Sequence, residues 1–308
     1  MPFEEDLKSV SPDKETLLAV GVFDGVHLGH ISLICELVNR ARDKRLKSAI
    51  VTFWPHPQDI ISPDSKVPFL TDSEQRARLL KEAGVELVVT LPFNKRLASL
   101  EAEKFISLLI KHLKMRGIVV GPDFALGRSR QGSIELLKQL GYKHGFEVIT
   151  MPPLQINGIT ASSSAIRKAL AEGDMETVHQ MTGRYFSLHG RVVTGDGRGA
   201  GLSFATANLD INPSQALPAD GVYIARSYFD KEPRDSLVNI GKRPTFGGSK
   251  RIVEVHILGF NNNIYGQELK TDIIKRLRGE MRFSGVEDLK KQISCDIQKA
   301  KAIFKSLG

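Results

Sequence analysis

The residues best suited to chemistry in this chain are His27 and His30, which end the segment Gly21-Val-Phe-Asp-Gly-Val-His-Leu-Gly-His30. Two imidazoles three residues apart can direct N–H groups at one anion. The segment follows an apolar run, Leu17-Leu-Ala-Val20, that reads as a buried strand. After it comes Ile31-Ser-Leu-Ile-Cys-Glu-Leu-Val38, whose apolar residues recur at helical spacing. A strand-to-helix turn exposes the first N–H groups of the helix, an arrangement that holds phosphates. A single histidine here would read as an ordinary cap or surface residue. Two of them on a glycine-flanked turn read as a device for a nucleotide's phosphates, with Gly21, Phe23, Asp24, Gly25 and Gly29 completing the expected phosphate-binding set.

The surrounding elements must position that turn. Ser48–Phe53, Glu86–Leu91, Gly117–Gly121 and Phe146–Thr150 read as further strands. Between them, Thr71-Asp-Ser-Glu74 predicts a capping box opening a helix through Leu80. Ala102–Met115 predicts a helix with Phe105, Leu108, Leu109 and Leu113 on its apolar face, and Ser133–Leu140 a helix stopped by Gly141. Strands spaced by helices of this length imply a parallel sheet covered on both faces, with ligands at the strands' carboxyl ends. After Met181-Thr-Gly183 the pattern changes to short strands between Gly, Pro, Asn and Asp turns, at Gly190–Thr194, Gly221–Ala225, Ser236–Ile240 and Ile252–Leu258. Helical spacing returns from Val286 to Phe304. The second half therefore reads as a small β-barrel with a C-terminal helix, and the domains as 1–183 and 184–308.

Composition narrows the class. The 308 residues are 41% hydrophobic and 25% charged, those of an ordinary globular protein of two domains. No apolar stretch approaches a membrane span, and Met1-Pro-Phe-Glu-Glu-Asp-Leu-Lys8 lacks a hydrophobic signal core. The two cysteines, Cys35 and Cys295, fall in amphipathic helical stretches without metal or disulfide spacing, and are expected as core thiols in the cytoplasm. The net charge of +8 is scattered rather than run together. It favours phosphorylated small molecules over a specific nucleic-acid partner or a membrane, in a monomer or weak oligomer.

In the second half, Gly195-Asp-Gly-Arg-Gly-Ala200 matches a dinucleotide-binding turn only superficially. That motif needs a helix directly after it, whereas Leu202-Ser-Phe-Ala-Thr-Ala-Asn-Leu209 alternates like a strand. A glycine loop beside a phosphate, through Gly195 and Gly197, and a plain hairpin turn remain the two readings of this segment.

The turn at 27–30 resembles the HxGH signature of the nucleotidyltransferase superfamily, which implies attack on a nucleotide's α-phosphate and leaves the acceptor open, pantetheine phosphate being one alternative. Phe204-Ala-Thr-Ala-Asn-Leu209 resembles the Pro-Thr-Ala-Asn motif of riboflavin kinases. Asn239-Ile-Gly-Lys-Arg-Pro-Thr-Phe246, Val253-Glu-Val-His-Ile-Leu258 and Leu277-Arg-Gly-Glu-Met-Arg-Phe283 follow in that family's order. Together the two halves resemble the prokaryotic bifunctional riboflavin kinase/FMN adenylyltransferase (FAD synthetase) family, from about Leu17 to Ala302. The sequence departs from the family's pattern at Ala205, where proline is usual, at Ser203, where glycine is common, and at Thr160, where a basic residue is usual.

The resemblance implies an α/β Rossmann-like nucleotidyltransferase domain followed by a Greek-key β-barrel kinase domain. It implies that riboflavin is phosphorylated to FMN and that FMN is adenylylated to FAD, with ATP as co-substrate, Mg²⁺ as cofactor and both activities retained. For the kinase it implies Glu254 as general base, Thr206 and Asn208 at Mg²⁺ and the ribityl chain, and Arg278 and Phe283 at the isoalloxazine ring. For the adenylyltransferase it implies His27 and His30 as donors to developing charge. Ser163, Ser164 and Arg167 would form a triphosphate clamp, Asp123 a flavin or nucleotide contact, Arg128 and Arg130 phosphate contacts, and His56, in Trp54-Pro-His-Pro57, a flavin or phosphate contact.

Overall fold

The structure, a computed structural model, describes residues 2–122, 124–128, 131–194, 206–229, 232–245, 248–260 and 262–307. They form two compact units, Met1–Ser163 and Ser164–Gly308. The first unit runs α1 (Pro2–Val10), β1 (Thr16–Val20), α2 (Leu28–Asp43), β2 (Lys47–Trp54), α3 (Pro57–Ile61) and α4 (Ser73–Glu82). It continues through β3 (Leu87–Pro92), α5 (Lys95–Ala98), α6 (Ala102–Leu113), β4 (Met115–Val120), α7 (Ile134–His144) and β5 (Glu147–Thr150) to a hairpin of β6 (Gln155–Ile156) and β7 (Ile159–Thr160). Strands β1 to β5 make one parallel sheet in the order β3-β2-β1-β4-β5.

Every residue of β1 is buried, as a strand with helices on both faces requires, and this is why it reads as an unbroken apolar run. Side chains alternate across the sheet. Leu18 and Val20 join Leu7, Ile106 and Leu137 of α1, α6 and α7, while Leu17 and Ala19 join Ile34, Leu37 and Leu80 of α2 and α4. The chain lays β1, β2 and β3 to one side and crosses to β4 on the other, so the strand order reverses beside β1. Ligands of open parallel sheets collect at the strands' carboxyl ends where this happens, and the turn at 21–30 starts there.

Three local expectations are corrected. The helix expected from Thr71 is capped by Asp72, whose carboxylate accepts from Gln75 N at 2.8 Å; the Thr71 hydroxyl accepts instead from Gly25 N at 3.0 Å. Helix α7 runs through Gly141 and stops at Gly145, because Gly141 O accepts from both Gly145 N and Phe146 N, at 2.8 and 3.0 Å. The cysteines are not core thiols: Cys35 is exposed and Cys295 half-buried, since each sits beside rather than on its helix's apolar stripe.

The second unit takes up α8 (Ser163–Glu172) and α9 (Met175–Thr182), then β8 (Phe186–Val193), β9 (Ala207–Ile211), β10 (Gly221–Phe229), β11 (Glu232–Thr245), β12 (Gly248–Ile257), β13 (Glu268–Gly279) and α10 (Val286–Leu307). The six strands close into a barrel in the order β10-β11-β12-β9-β8-β13. β10, β11 and β12 are antiparallel neighbours and β13 returns beside β10, which is a Greek key. Strand β13 escapes a reading by apolar runs because Glu268, Lys270, Asp272 and Lys275 interrupt it. α8 belongs with the barrel through Leu170 O, which accepts from Ala219 N at 2.8 Å, and Glu172 O, which accepts from Arg276 at 3.2 Å. α10 lays Ala300 and Phe304 on Val222, Ile224, Leu237 and Ile274.

Candidate active sites

The turn after β1 is built by backbone conformation first. Phe23, Gly25 and Val26 all have positive φ, at 52, 80 and 36°, a region that L-residues with side chains enter at a cost. What holds it is Asp24, buried to 2% exposure. Its Oδ1 accepts from Thr71 N at 3.0 Å and its Oδ2 from Leu70 N at 3.0 Å. Arg76, 1% exposed, closes an ion pair on Oδ1 at 3.3 Å and donates to Thr71 O and Phe53 O at 3.0 and 3.1 Å. The Asp24 carboxylate, expected at phosphate, is thus directed into the protein. A Cβ on Gly25 would sit 2.8 Å from Leu70 Cδ1, so the same loop closes over the glycine.

His27 is the N-cap of α2, and its Nδ1 accepts from His30 N at 3.3 Å. An imidazole nitrogen that accepts carries no proton, so the neutral ring holds its proton on Nε2 and donates from there. The His30 ring stacks on it with centroids 3.6 Å apart. Behind them, a Cβ on Gly29 would meet Ala161 O at 2.9 Å, and Ser163 Oγ donates to Asp24 O at 2.8 Å. The histidine turn, which opens α2, and Ser163, the last residue of the first unit, are therefore brought together. Ser164 and Arg167 follow on α8, Arg167 half-buried.

Gly21, at the head of the turn, also lines a cavity of about 860 Å³ at the carboxyl ends of the sheet. Its walls are mostly apolar: Phe53, Phe93, Phe105, Phe124 and Ile60, with His56, Lys95 and Arg128 among them. His56 caps α3 through Nδ1, which accepts from Gln58 N at 3.1 Å. A cleft of this size with aromatic walls and a few cationic groups fits a large planar ring carrying an anionic group.

In the barrel, cross-strand register gathers the candidates. Glu254 stands opposite Asn239 on β11 and Asn208 on β9, and Asn239 stands opposite Val222, itself opposite Arg278. Directly paired residues share a face, so Arg278, Asn239, Glu254 and Asn208 lie on one belt around the outside. Val253, Val255 and Ile257 face inward, at 1 to 3% exposure. Asn239 Nδ2 donates to Glu254 Oε2 at 3.2 Å. Arg278 pairs with buried Asp296 of α10 at 2.9 Å and lies 6.0 Å over the half-buried Phe283 ring. Thr206, just before β9, lines a smaller cavity of about 280 Å³ with Val192, Val255, Phe260, Asn263 and Tyr265. Asp123, Arg130, Gly195, Gly197, Ser203 and Ala205 lie outside the described residues.

Two families meet in this order along the chain. The FAD synthetase family profile matches residues 9–165 and the riboflavin kinase profile residues 182–304. The bifunctional riboflavin kinase/FMN adenylyltransferase of Escherichia coli K12 is 35% identical over 298 residues, 96% of this chain and 95% of the relative. The chain belongs to the bifunctional riboflavin kinase/FMN adenylyltransferase family. The Bacillus subtilis member is 34% identical over 309 residues, 99% of this chain and 95% of its own. Among solved structures, a Streptococcus pneumoniae protein described as a macrolide-efflux protein superposes with a TM-score of 0.87 at 30% identity, over 96% of each chain. Here, among the described residues, no helix is long and apolar enough to cross a membrane.

Two groups at these sites carry no signal in the sequence. The phenylalanines of the large cavity, Phe53, Phe93, Phe105 and Phe124, come from four separate stretches and look like core residues. Asn239 opens a family motif, but nothing local ties it to Glu254, 15 residues on.

Proposed function

We propose that this chain makes FAD in two ATP-dependent steps in the cytoplasm, with the kinase carried by 184–308 and the adenylyltransferase by 1–183. In the kinase step the riboflavin 5′-hydroxyl gives its proton to the Glu254 carboxylate while its oxygen bonds the γ-phosphorus of ATP. The bond from that phosphorus to the bridging oxygen breaks, leaving FMN and ADP. Such transfers rest on positioning and charge neutralisation, and a placed base serves an alcohol nucleophile. The side-chain oxygens of Thr206 and Asn208 are hard donors, and Mg²⁺ binds through one or two protein oxygens plus phosphates and water. The donor set fits, and the ion, when bound, supplies charge neutralisation on the triphosphate. The small cavity beside Thr206 takes the adenine, between Phe260 and Tyr265. Arg278 and Phe283 lie against the flavin.

In the adenylyltransferase step a phosphate oxygen of FMN attacks the α-phosphorus of a second ATP, and pyrophosphate leaves. His27, from Nε2, and His30 donate to the charge that develops on the oxygens. Ser163, Ser164 and Arg167 hold the triphosphate, and the glycine turn lets it approach. The cavity carries the choice of acceptor: about 860 Å³ walled by phenylalanines and opening at Gly21 suits an isoalloxazine ring, with Lys95 and Arg128 near its phosphate. A pantetheine chain has no use for aromatic walls.

Incubating the purified chain with riboflavin, ATP and Mg²⁺ and separating the flavins tests both steps. FMN and FAD are expected in succession. FMN without FAD would overturn the adenylyltransferase, no FMN would overturn the kinase, and pyrophosphate release with pantetheine phosphate would overturn the choice of acceptor.

A further inference from the structure

A general base needs its carboxylate aimed as well as present. Glu254 sits on the outer belt of the barrel, where a half-buried side chain is free to sample rotamers unless something fixes it. On one side, at the same register, is Asn208 of β9, assigned above to Mg²⁺ and the ribityl chain. On the other is Asn239 of β11, whose amide nitrogen donates to Glu254 Oε2 at 3.2 Å. That bond takes one carboxylate oxygen and leaves Oε1 for the proton.

We infer that Asn239 is a positioning residue for the kinase, acting only through Glu254. The inference rests on Glu254 being the base. Asn239 has no place in the adenylyltransferase machinery, so the chain's second activity reports the amount of intact first unit, and the urea and thermal melting curves of the full chain report whether the barrel of each variant is folded.

The decisive variant is Asn239→Asp in the full chain, which keeps the side chain's shape and removes the donor; Asn239→Ala serves if it misfolds. Kinase kcat is expected to fall about 10-fold to 100-fold, with KM for riboflavin and ATP within about two-fold and conversion of supplied FMN to FAD unchanged. An interaction made in the transition state lowers kcat and leaves KM. In a Glu254→Gln background, where there is no base to aim, the same substitution is expected to cause no further loss. Wild-type kcat in Asn239→Asp, or a loss confined to KM, overturns the inference. So does a further loss of the same size in the Glu254→Gln background. If Glu254→Gln alone keeps full kinase activity, it is the assignment of the base that fails, and the two failures are told apart by that single variant.

Discussion

At the scale of the residue, we propose two jobs for the ring of His27. Nδ1 accepts the cap bond of α2, and that bond selects the tautomer with its proton on Nε2, the one the proposed chemistry calls for. His27→Asn separates them, because asparagine is a good N-cap but places no donor where Nε2 stood. FAD formation from supplied FMN is expected to fall about 10²-fold to 10³-fold, the range for losing one such donor, with little change in melting temperature. His27→Ala should lower both. Measuring rate and melting curve for the two variants checks it. The place of the histidines at a strand-to-helix turn was legible because it is written in residue type and spacing. Asp24 was legible only as a member of the turn; that its carboxylate faces inward follows from partners 46 to 52 residues away.

At the scale of the element, the buried Arg76 ties three pieces together: the turn through Asp24, the loop through Thr71 O, and the end of β2 through Phe53 O. Phe53 also walls the 860 Å³ cavity proposed for the flavin. Removing one partner of a buried pair leaves an uncompensated charge and costs roughly 3–5 kcal/mol. Arg76→Met should therefore unfold the first unit at lower urea and abolish FAD formation while FMN formation survives; equal loss of both activities would count against this. Asp174 is a milder case. Its carboxylate caps α9, accepting from Thr177 N at 3.0 Å and from the Thr177 hydroxyl, and those bonds hold its pKa below 3.8. A lowered folded-state pKa means the cap's contribution is complete above 3.8 and fades as pH falls below it. Asp174→Ala should cost about 1 kcal/mol at pH 7, with the difference from wild type shrinking in acid denaturation. The main helices and strands of the first unit followed from periodicity, but β13, with its interrupting charges, did not, nor did the roles of Thr71 and Gly141. Each has the residue type of a helix terminus, but Thr71 is used for a contact across the fold, with Gly25 N, and Gly141 lies inside the helix whose end it closes.

At the scale of the whole molecule, a net charge of +8 suits a chain that handles ATP twice. Riboflavin is neutral, so its KM should change by less than about two-fold between 50 and 200 mM salt, whereas any retention of RNA should fall steeply over the same range. A steep salt dependence of riboflavin use would argue for a charged site where we place an aromatic one. The sequence by itself determined the order of two unlike halves and the class of chemistry in each, because these follow from local pattern and from spacing within a few residues. Only the tertiary structure decided which apolar side chains line a cavity instead of filling a core, and which polar neighbours hold the reactive ones. Phe93 and Leu91 look alike in a sequence; one faces the 860 Å³ cavity and the other is fully buried. The difference lies in the space that surrounding elements leave, and that space is set by packing between segments far apart in the chain.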